Sequence, residues 1–209
     1  MQDLFENISP KNKEKLLKLL RASTISYTKG VNILSNVNRD NFIGIVDEGS
    51  LQIVVNDYNG NNILIEEIGQ NDIFGNFISS INSEECSCIT NEKTKVTYID
   101  YENITSPDII KNDFYIIFVK NLLKILGNQL NSKNARIEIL TKRSIRDKLL
   151  EYFRILSQNS GSKSFTLPFT FTQLANYLSV DRCAMTRELK YLKNEGFIKV
   201  VGKKVYLLY

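Results

Sequence analysis

The 209-residue sequence contains no histidine at all. That absence removes the commonest metal ligand and general base, and with them every histidine-dependent triad and most metalloenzyme sites. No catalytic residue and no metal site is therefore expected. Cysteine is scarce: three residues, Cys86, Cys88 and Cys183, are too few and too irregular for a disulfide framework, which agrees with a reducing compartment. No apolar run approaches the roughly 18 residues of a membrane span. The opening Met1-Gln-Asp-Leu-Phe-Glu-Asn7 lacks the basic segment and long apolar core of a secretory signal. No membrane partner and a cytoplasmic location are expected. With 43% hydrophobic and 24% charged residues, nothing points to extended disorder, and the length suits one large or two small domains.

What is present is a sharp partition of charge. Residues 133 to 209 hold 15 Lys and Arg against 6 Asp and Glu, a net +9, whereas residues 1 to 132 hold 12 against 17, a net −5. A strongly basic back half behind an acidic front is the footprint of a polyanion-binding module joined to something else. Within that basic half, residues 169 to 192 read as two short helices joined by a tight turn. Thr170 and Gln173 form a capping box for the first, whose Leu174, Ala175 and Leu178 share one face. Asp181 supplies a second N-cap, and Met185, Leu189 and Leu192 fall at helical spacing after it, leaving Arg182, Cys183, Thr186, Arg187 and Lys190 on the outside. Two β-rich runs then flank Gly202-Lys203, a pair suited to a hairpin turn, with Lys203 and Lys204 at the tip. Amphipathic helix pairs with basic outer faces also occur as plain solvated structure; the hairpin and the charge partition favour duplex DNA as the partner.

Upstream, Ser9-Pro10 marks a capped helix start and the leucines at 16, 17, 19 and 20 give an apolar side to a helix ending near Ser23. From Tyr27 to about Ile104 the texture is β-rich. Strands are expected at Phe42 to Val46, Ser50 to Asn56, Ile63 to Ile68, Ser87 to Thr90 and Lys95 to Ile99, with a hairpin at Asn59-Gly60, which together make a sandwich or barrel. Cys86 and Cys88 would share one strand face, as buried hydrophobes or alternatively as a thiol sensor. Ser106-Pro107 starts another helix that runs, past a lone Gly127, to roughly Leu140. It would be on the order of 50 Å long at about 1.5 Å per residue. Phe114, Phe118, Leu122 and Ile125 form one stripe, and Ile110, Ile117, Leu123, Leu126 and Leu130 make much of the rest apolar. Such a helix needs two partners, the β-region and the same helix of a second chain; burial within one chain is the alternative. A further helix is expected from about Lys142 to Leu156, packing through Ile145, Leu149, Leu150 and Phe153, followed by a flexible loop over Gln158 to Lys163.

This order of elements, with the motifs inside it, resembles the Crp/Fnr family of bacterial transcription regulators over essentially the whole chain. The resemblance is carried by residues 178 to 198, by Gly30, by Ile45-Val-Asp-Glu-Gly49 and by Ile68-Gly-Gln-Asn-Asp-Ile-Phe-Gly75. It implies an α+β fold: an N-terminal β-roll of the cyclic-nucleotide-binding-like jelly-roll kind over 1–106, a dimerisation helix over 107–141 and a winged helix-turn-helix over 142–209. It further implies a homodimer on a palindromic operator, a small-molecule effector and RNA polymerase as a partner. Carried over by position, Arg182, Cys183 and Arg187 match base-reading sites and Thr170 a phosphate-contacting helix start. Cys183 stands where an acidic residue often reads cytosine, and Ser179 where a turn glycine is common.

The ligand cassette departs from the family's pattern. Cyclic-nucleotide binders follow the glycine matched by Gly75 with a ribose-binding glutamate and later present Arg-Ser to the phosphate; here those places hold Asn76 and Cys86-Ser87. A buried cyclic phosphate would lack its countercharge, so the effector is expected to be something other than cyclic AMP. Gln129 and Leu130 match the polar pair that closes over the base. An iron–sulfur version would need four cysteines and the haem versions rely on histidine, so no cofactor is expected. Two rival readings are a cupin-type enzyme, which usually needs a histidine-rich cluster, and an interaction module whose helix-turn-helix binds protein.

Overall fold

The computed structural model describes residues 3–36, 41–56, 62–75, 78 and 86–209. The chain separates into two compact units, Met1–Asn128 and Gln129–Tyr209. The fold is α+β, with an N-terminal β-roll, a long helix and a C-terminal winged helix-turn-helix.

The first unit opens with α1 (Pro10–Leu19), where the Ser9 hydroxyl accepts a hydrogen bond from the Asn12 amide and Pro10 takes the first helical position. The helix stops at Leu19, short of the expected end near Ser23, because Ser23–Tyr27 forms strand β1. Its β-branched Thr24 and Ile25 suit a strand, and the Thr24 hydroxyl meets that of Thr97 at 2.7 Å. There follow β2 (Phe42–Glu48), β3 (Leu51–Asn56), β4 (Asn62–Ile68), β5 (Ile73–Phe74), β6 (Cys86–Thr90) and β7 (Thr94–Asp100). All five expected strands are present; the expected Asn59-Gly60 turn lies outside the described residues.

Two antiparallel sheets result, ordered β1-β7-β2-β5 and β4-β3-β6. Strand alternation explains the layering. On β2, Phe42 and Val46 join a core with Leu51, Ile53 and Cys88 of the other sheet, whereas Ile43 and Ile45 turn to the opposite side and pack with Leu16 and Phe118 of the helices. Between the sheets, Phe42, Phe74 and Tyr98 meet edge to face with ring centroids 5.5 to 6.3 Å apart. The buried hydroxyls of Tyr27 and Tyr98 are 2.9 Å apart, so neither phenol is left without a partner in that core.

The helix expected to run unbroken from Pro107 is interrupted. A single turn, α2 (Pro107–Ile110), ends where the Asn112 side-chain Nδ2 donates to the carbonyls of Asp108 and Ile109, at 2.6 and 3.1 Å, in competition with a further helical turn. Helix α3 (Tyr115–Leu140) then starts afresh, 26 residues long, or about 39 Å. Phe114, Phe118, Leu122 and Ile125 are buried as a stripe against the first unit's core.

The second unit adds α4 (Ile145–Ser160), β8 (Ser164–Thr166), α5 (Phe171–Tyr177), α6 (Arg182–Asn194), β9 (Ile198–Val201) and β10 (Lys204–Leu207), with strand order β8-β10-β9. Helix α4 begins at Ile145 rather than Lys142 because the Ser144 hydroxyl caps it through the Asp147 amide, and it continues through Ser160, across much of the expected loop. Its Leu149 and Phe153 are buried with Leu174, Met185, Leu189 and Val205 in one core.

Candidate nucleic-acid interface

The second unit builds its outer helix from local signals. The Thr170 hydroxyl accepts from the Gln173 amide at 3.3 Å while the Gln173 side chain accepts from the Thr170 amide at 2.9 Å, completing the expected capping box at the start of α5. After Leu178 the chain turns through Ser179, which adopts φ +51°. That left-handed conformation suits glycine and costs a serine, but it lets the Val180 amide reach the Ala175 carbonyl at 3.0 Å and close the turn. Asp181 then accepts from the Ala184 amide at 2.8 Å, fixing the first turn of α6.

Helix α6 divides its surface as its sequence spacing requires. Met185, Leu189 and Leu192 are buried; Arg182, Cys183, Thr186, Arg187 and Lys190 are all exposed on the far side. The arginines of this unit sort into two groups. Arg136 stacks over Tyr177, Arg146 grips Glu195, and Arg154 is held by Glu151 and Glu138. Arg182 and Arg187 on α6, and Arg143 just ahead of α4, form no ion pair among the described residues. Two guanidiniums that point to solvent from a rigid helix, with no partner of their own, have their donors available for an anionic or hydrogen-bonding target.

The wing lies on the expected residues. Strands β9 and β10 pair antiparallel, with Lys204 opposite Val201, and Gly202-Lys203 forms the two-residue turn. Gly202 has φ +59°, the left-handed geometry that a hairpin turn of this kind demands at its first position. Lys203 and Lys204 are exposed at its tip.

One feature escaped the sequence reading. An open groove of about 590 Å³ runs along the flank of α6, lined by Ser144, Arg146, Arg187, Glu188, Tyr191 and Glu195. Arg146 crosses to Glu195 with a two-pronged hydrogen bond, one arm 3.0 Å, and stacks over the Phe197 ring at 5.0 Å. The hydrogen bond from Arg146 holds the Glu195 carboxyl below its usual range. These partners are 49 residues apart, so no local pattern announces the pair. It ties the start of α4 to the end of α6.

In the first unit the residues matched to a ligand cassette lie apart in character. Gly75, at φ +153°, is needed for steric reasons alone, because a Cβ there would sit 2.1 Å from the Phe42 carbonyl oxygen. Cys86 is buried between the sheets, while Ser87 turns the other way and accepts from the Asn32 side chain at 3.3 Å. Asn76 lies outside the described residues. Gln129 and Leu130 belong to the second unit, where Leu130 is exposed on α3. Burial raises the thiol pKa of both Cys86 and Cys88, so the two are held as neutral thiols. The expected outcome of alkylation under native conditions is rapid modification of Cys183 alone, with Cys86 and Cys88 reacting only after denaturant is added. Mass spectrometry of the quenched protein reads this directly, and native reactivity at Cys86 or Cys88 would reopen the sensor reading.

Residues 147–208 match the family model of the Crp-like helix-turn-helix domain. A probable transcriptional regulator, flp, of Lacticaseibacillus casei is 35% identical over 88 residues, a match that spans 38% of this chain and 40% of that protein. The chain thus covers about two fifths of the length of this curated relative. Among solved structures, a cyclic nucleotide-binding domain containing protein from Listeria monocytogenes aligns with a TM-score of 0.68 at 16% identity, covering 93% of this chain and 96% of that one. A CooA mutant from Carboxydothermus hydrogenoformans aligns with a TM-score of 0.66 at 18% identity, covering 93% and 86%. FixK2 from Bradyrhizobium japonicum aligns with a TM-score of 0.60 at 16% identity, covering 90% and 93%. At such identities the likeness to these structures is one of fold.

Proposed function

We propose that this chain, whose residues 147–208 match the Crp-like helix-turn-helix domain, is a Crp/Fnr-type, sequence-specific DNA-binding regulator of transcription rather than an enzyme. The observation that carries the reading is the solvent face of α6: two arginines with no ion pair among the described residues, on a helix capped at its start and packed through its opposite side. That geometry suits insertion into a major groove, where an arginine can pair bidentately with guanine O6 and N7. Arg182, Cys183, Thr186 and Arg187 face the bases. Lys190, Lys203 and Lys204, with Thr170 at the start of α5, face the phosphates.

The regulator works as a homodimer on an approximately palindromic operator. Supporting this, Ile116, Leu123, Leu130 and Ile137 recur every seven residues along α3 and are 75%, 63%, 59% and 58% exposed, the seam of a two-stranded coiled coil. Residues 1–106 serve as the effector-responsive part, 107–141 as the dimerising part and 142–209 as the DNA-binding part. The effector is a small molecule other than cyclic AMP, since the neutral, buried Cys86 offers a cyclic phosphate no countercharge. The role is cytoplasmic, and RNA polymerase is the natural protein partner.

Selection of bound sites from random duplex DNA tests the reading. The expected product is one inverted-repeat sequence whose half-sites are about 10 base pairs apart, centre to centre. Binding to it should weaken steeply with salt as counterions compete. Recovery of unselected sequence, at low salt and with or without cell extract, would overturn the proposal.

A further inference from the structure

Helix α1 reverses the charge of the unit that carries it. Residues 10 to 21 hold Lys11, Lys13, Lys15, Lys18 and Arg21 against Glu14 alone, while the other residues up to 132 hold 7 Lys and Arg against 16 Asp and Glu. Leu16 and Leu20 are fully buried, so the helix turns Lys11, Lys15 and Lys18 outward together on one face. Lys18 pairs with Glu14 at 2.7 Å, and Lys15 donates to the Asn112 side chain at 2.6 Å, a neutral partner that fixes the ammonium without cancelling its charge. Lys13 lies over the Phe5 ring at 4.3 Å. The stripe ends on Arg21, which is exposed and has φ +51°. The Ala22 amide reaches the Leu17 carbonyl at 2.9 Å and the Arg21 amide reaches that of Lys18 at 3.1 Å, the helix-ending arrangement whose left-handed residue is ordinarily glycine. Any other side chain there carries a conformational cost. The guanidinium, like the Lys11 ammonium, has no ion pair among the described residues to offset it.

A strained arginine at the end of a row of lysines, on an otherwise acidic body, is placed for an anionic partner outside the chain. Two polyanions fit that charge: the acidic segment of a protein and the phosphate backbone of a duplex. The stripe has no apolar centre, because its leucines are buried or half-buried beneath it, and lysine is depleted at the middle of protein interfaces. Lys11, Lys15 and Lys18 follow one another along the helix by about 6 and about 4.5 Å. Such a row of point charges suits regularly spaced phosphates and reads no base. We propose that α1 is a second polyanion-binding surface, anchored by Arg21, and that it meets the phosphates of duplex continuing past the recognised sequence. This surface rests on the DNA-binding reading above and adds to it a sequence-independent contact made by the first unit.

The test compares the full-length protein on two duplexes: the palindrome obtained by site selection, and the same palindrome extended on each side by two helical turns, roughly 20 base pairs, of unrelated sequence. The extended duplex should bind more tightly at low salt, with a slope of log affinity against log salt steeper by about 0.9 for each phosphate met. Arg21→Gly should remove about one such contact and Lys11→Gln another, while affinity for the bare palindrome stays unchanged. Arg21→Gly should also raise the melting temperature by about 2–4 °C at high salt, where attraction of the arginine to the helix end is screened, because glycine relieves the left-handed position. A firmer fold with a weaker hold on long duplex is a combination that a merely structural arginine would not produce. Equal affinity of the unaltered protein for the two duplexes, or an advantage of the extended one that both variants keep, would overturn the proposal, as would a lower melting temperature for Arg21→Gly. If duplex length has no effect and the variants instead lose binding to poly-L-glutamate, the stripe serves an acidic protein partner and the DNA assignment is wrong. If no sequence is preferred at all, the DNA-binding reading fails first, and the two failures are told apart by the selection itself.

Discussion

Replacing Arg182 with alanine is expected to erase the preference for one guanine in each half-site, while replacing Lys203 with alanine should weaken every sequence alike. A bidentate arginine–guanine pair contributes about 1–3 kcal/mol of discrimination, so preference at that position should fall by roughly 5- to 150-fold. The expected size follows from what surrounds Arg182. It is the first residue of α6, exposed, and without an ion pair among the described residues, so no internal contact competes with the base. Its neighbour Asp181 is already engaged, accepting from the Ala184 amide at 2.8 Å. Lys203 instead sits in the two-residue turn of the wing, where a flexible ammonium can meet a phosphate but reads no base. Its loss should lower the slope of log affinity against log salt by about 0.9 per phosphate contact. Measuring affinities for the selected site, for single-base variants and for unrelated duplex across a salt series separates the two effects. Parallel behaviour of the two variants would reject this division of roles.

The parts of the site that were legible in the sequence are those whose cause is local. Thr170 with Gln173, Asp181 with Ala184, and Gly202-Lys203 each act within three residues, and each forms as its spacing requires. The packing stripes of α4 and α6 follow the same logic, because helical periodicity alone decides which side chains face inward. The misreadings share the opposite character. Strand β1 fell between the expected helix end near Ser23 and the β-rich region from Tyr27 because its partner β7 lies some 70 residues away, and only the Thr24–Thr97 contact and the ladder around it select the extended chain. The break after α2 depends on Asn112 turning back to Asp108 and Ile109, a competition that apolar periodicity does not reveal. The Arg146–Glu195 clasp and the third strand of the winged sheet, β8, belong to the same class of long-range effects. In the β-roll, a resemblance marked Gly75 as part of a ligand cassette, yet the close approach of the Phe42 carbonyl already requires glycine there.

The exposed line on α3 leads to the second large effect. Leu123 and Leu130 were visible in the sequence as apolar surface, but Ile116 and Ile137 extend the line to four residues at a strict spacing of seven. The half-buried Val119, Leu126 and Leu140 fall three residues after Ile116, Leu123 and Ile137, completing the alternation of three and four that packs two helices together. A seven-residue repeat on a 3.6-residue helix drifts, and a left-handed supercoil between two copies restores the alignment. Lys133 occupies the remaining position of that set, a polar interruption of the sort that favours one register over slipped alternatives. Substituting Leu123 and Leu130 together by glutamate would place four carboxylates across the seam of a dimer. The expected result is a monomer at micromolar concentration by sedimentation, with affinity for the full palindrome reduced by about 10²–10⁴-fold, because joined half-site contacts gain that much from effective concentration. The fold of each unit should survive, since both leucines face solvent within one chain. Lys124→Glu, an exposed charge reversal off the line, should leave the dimer intact. If the double variant still sediments as a dimer, α3 does not hold the two copies together; if it is monomeric yet binds the palindrome undiminished, the operator is not read by two copies at once.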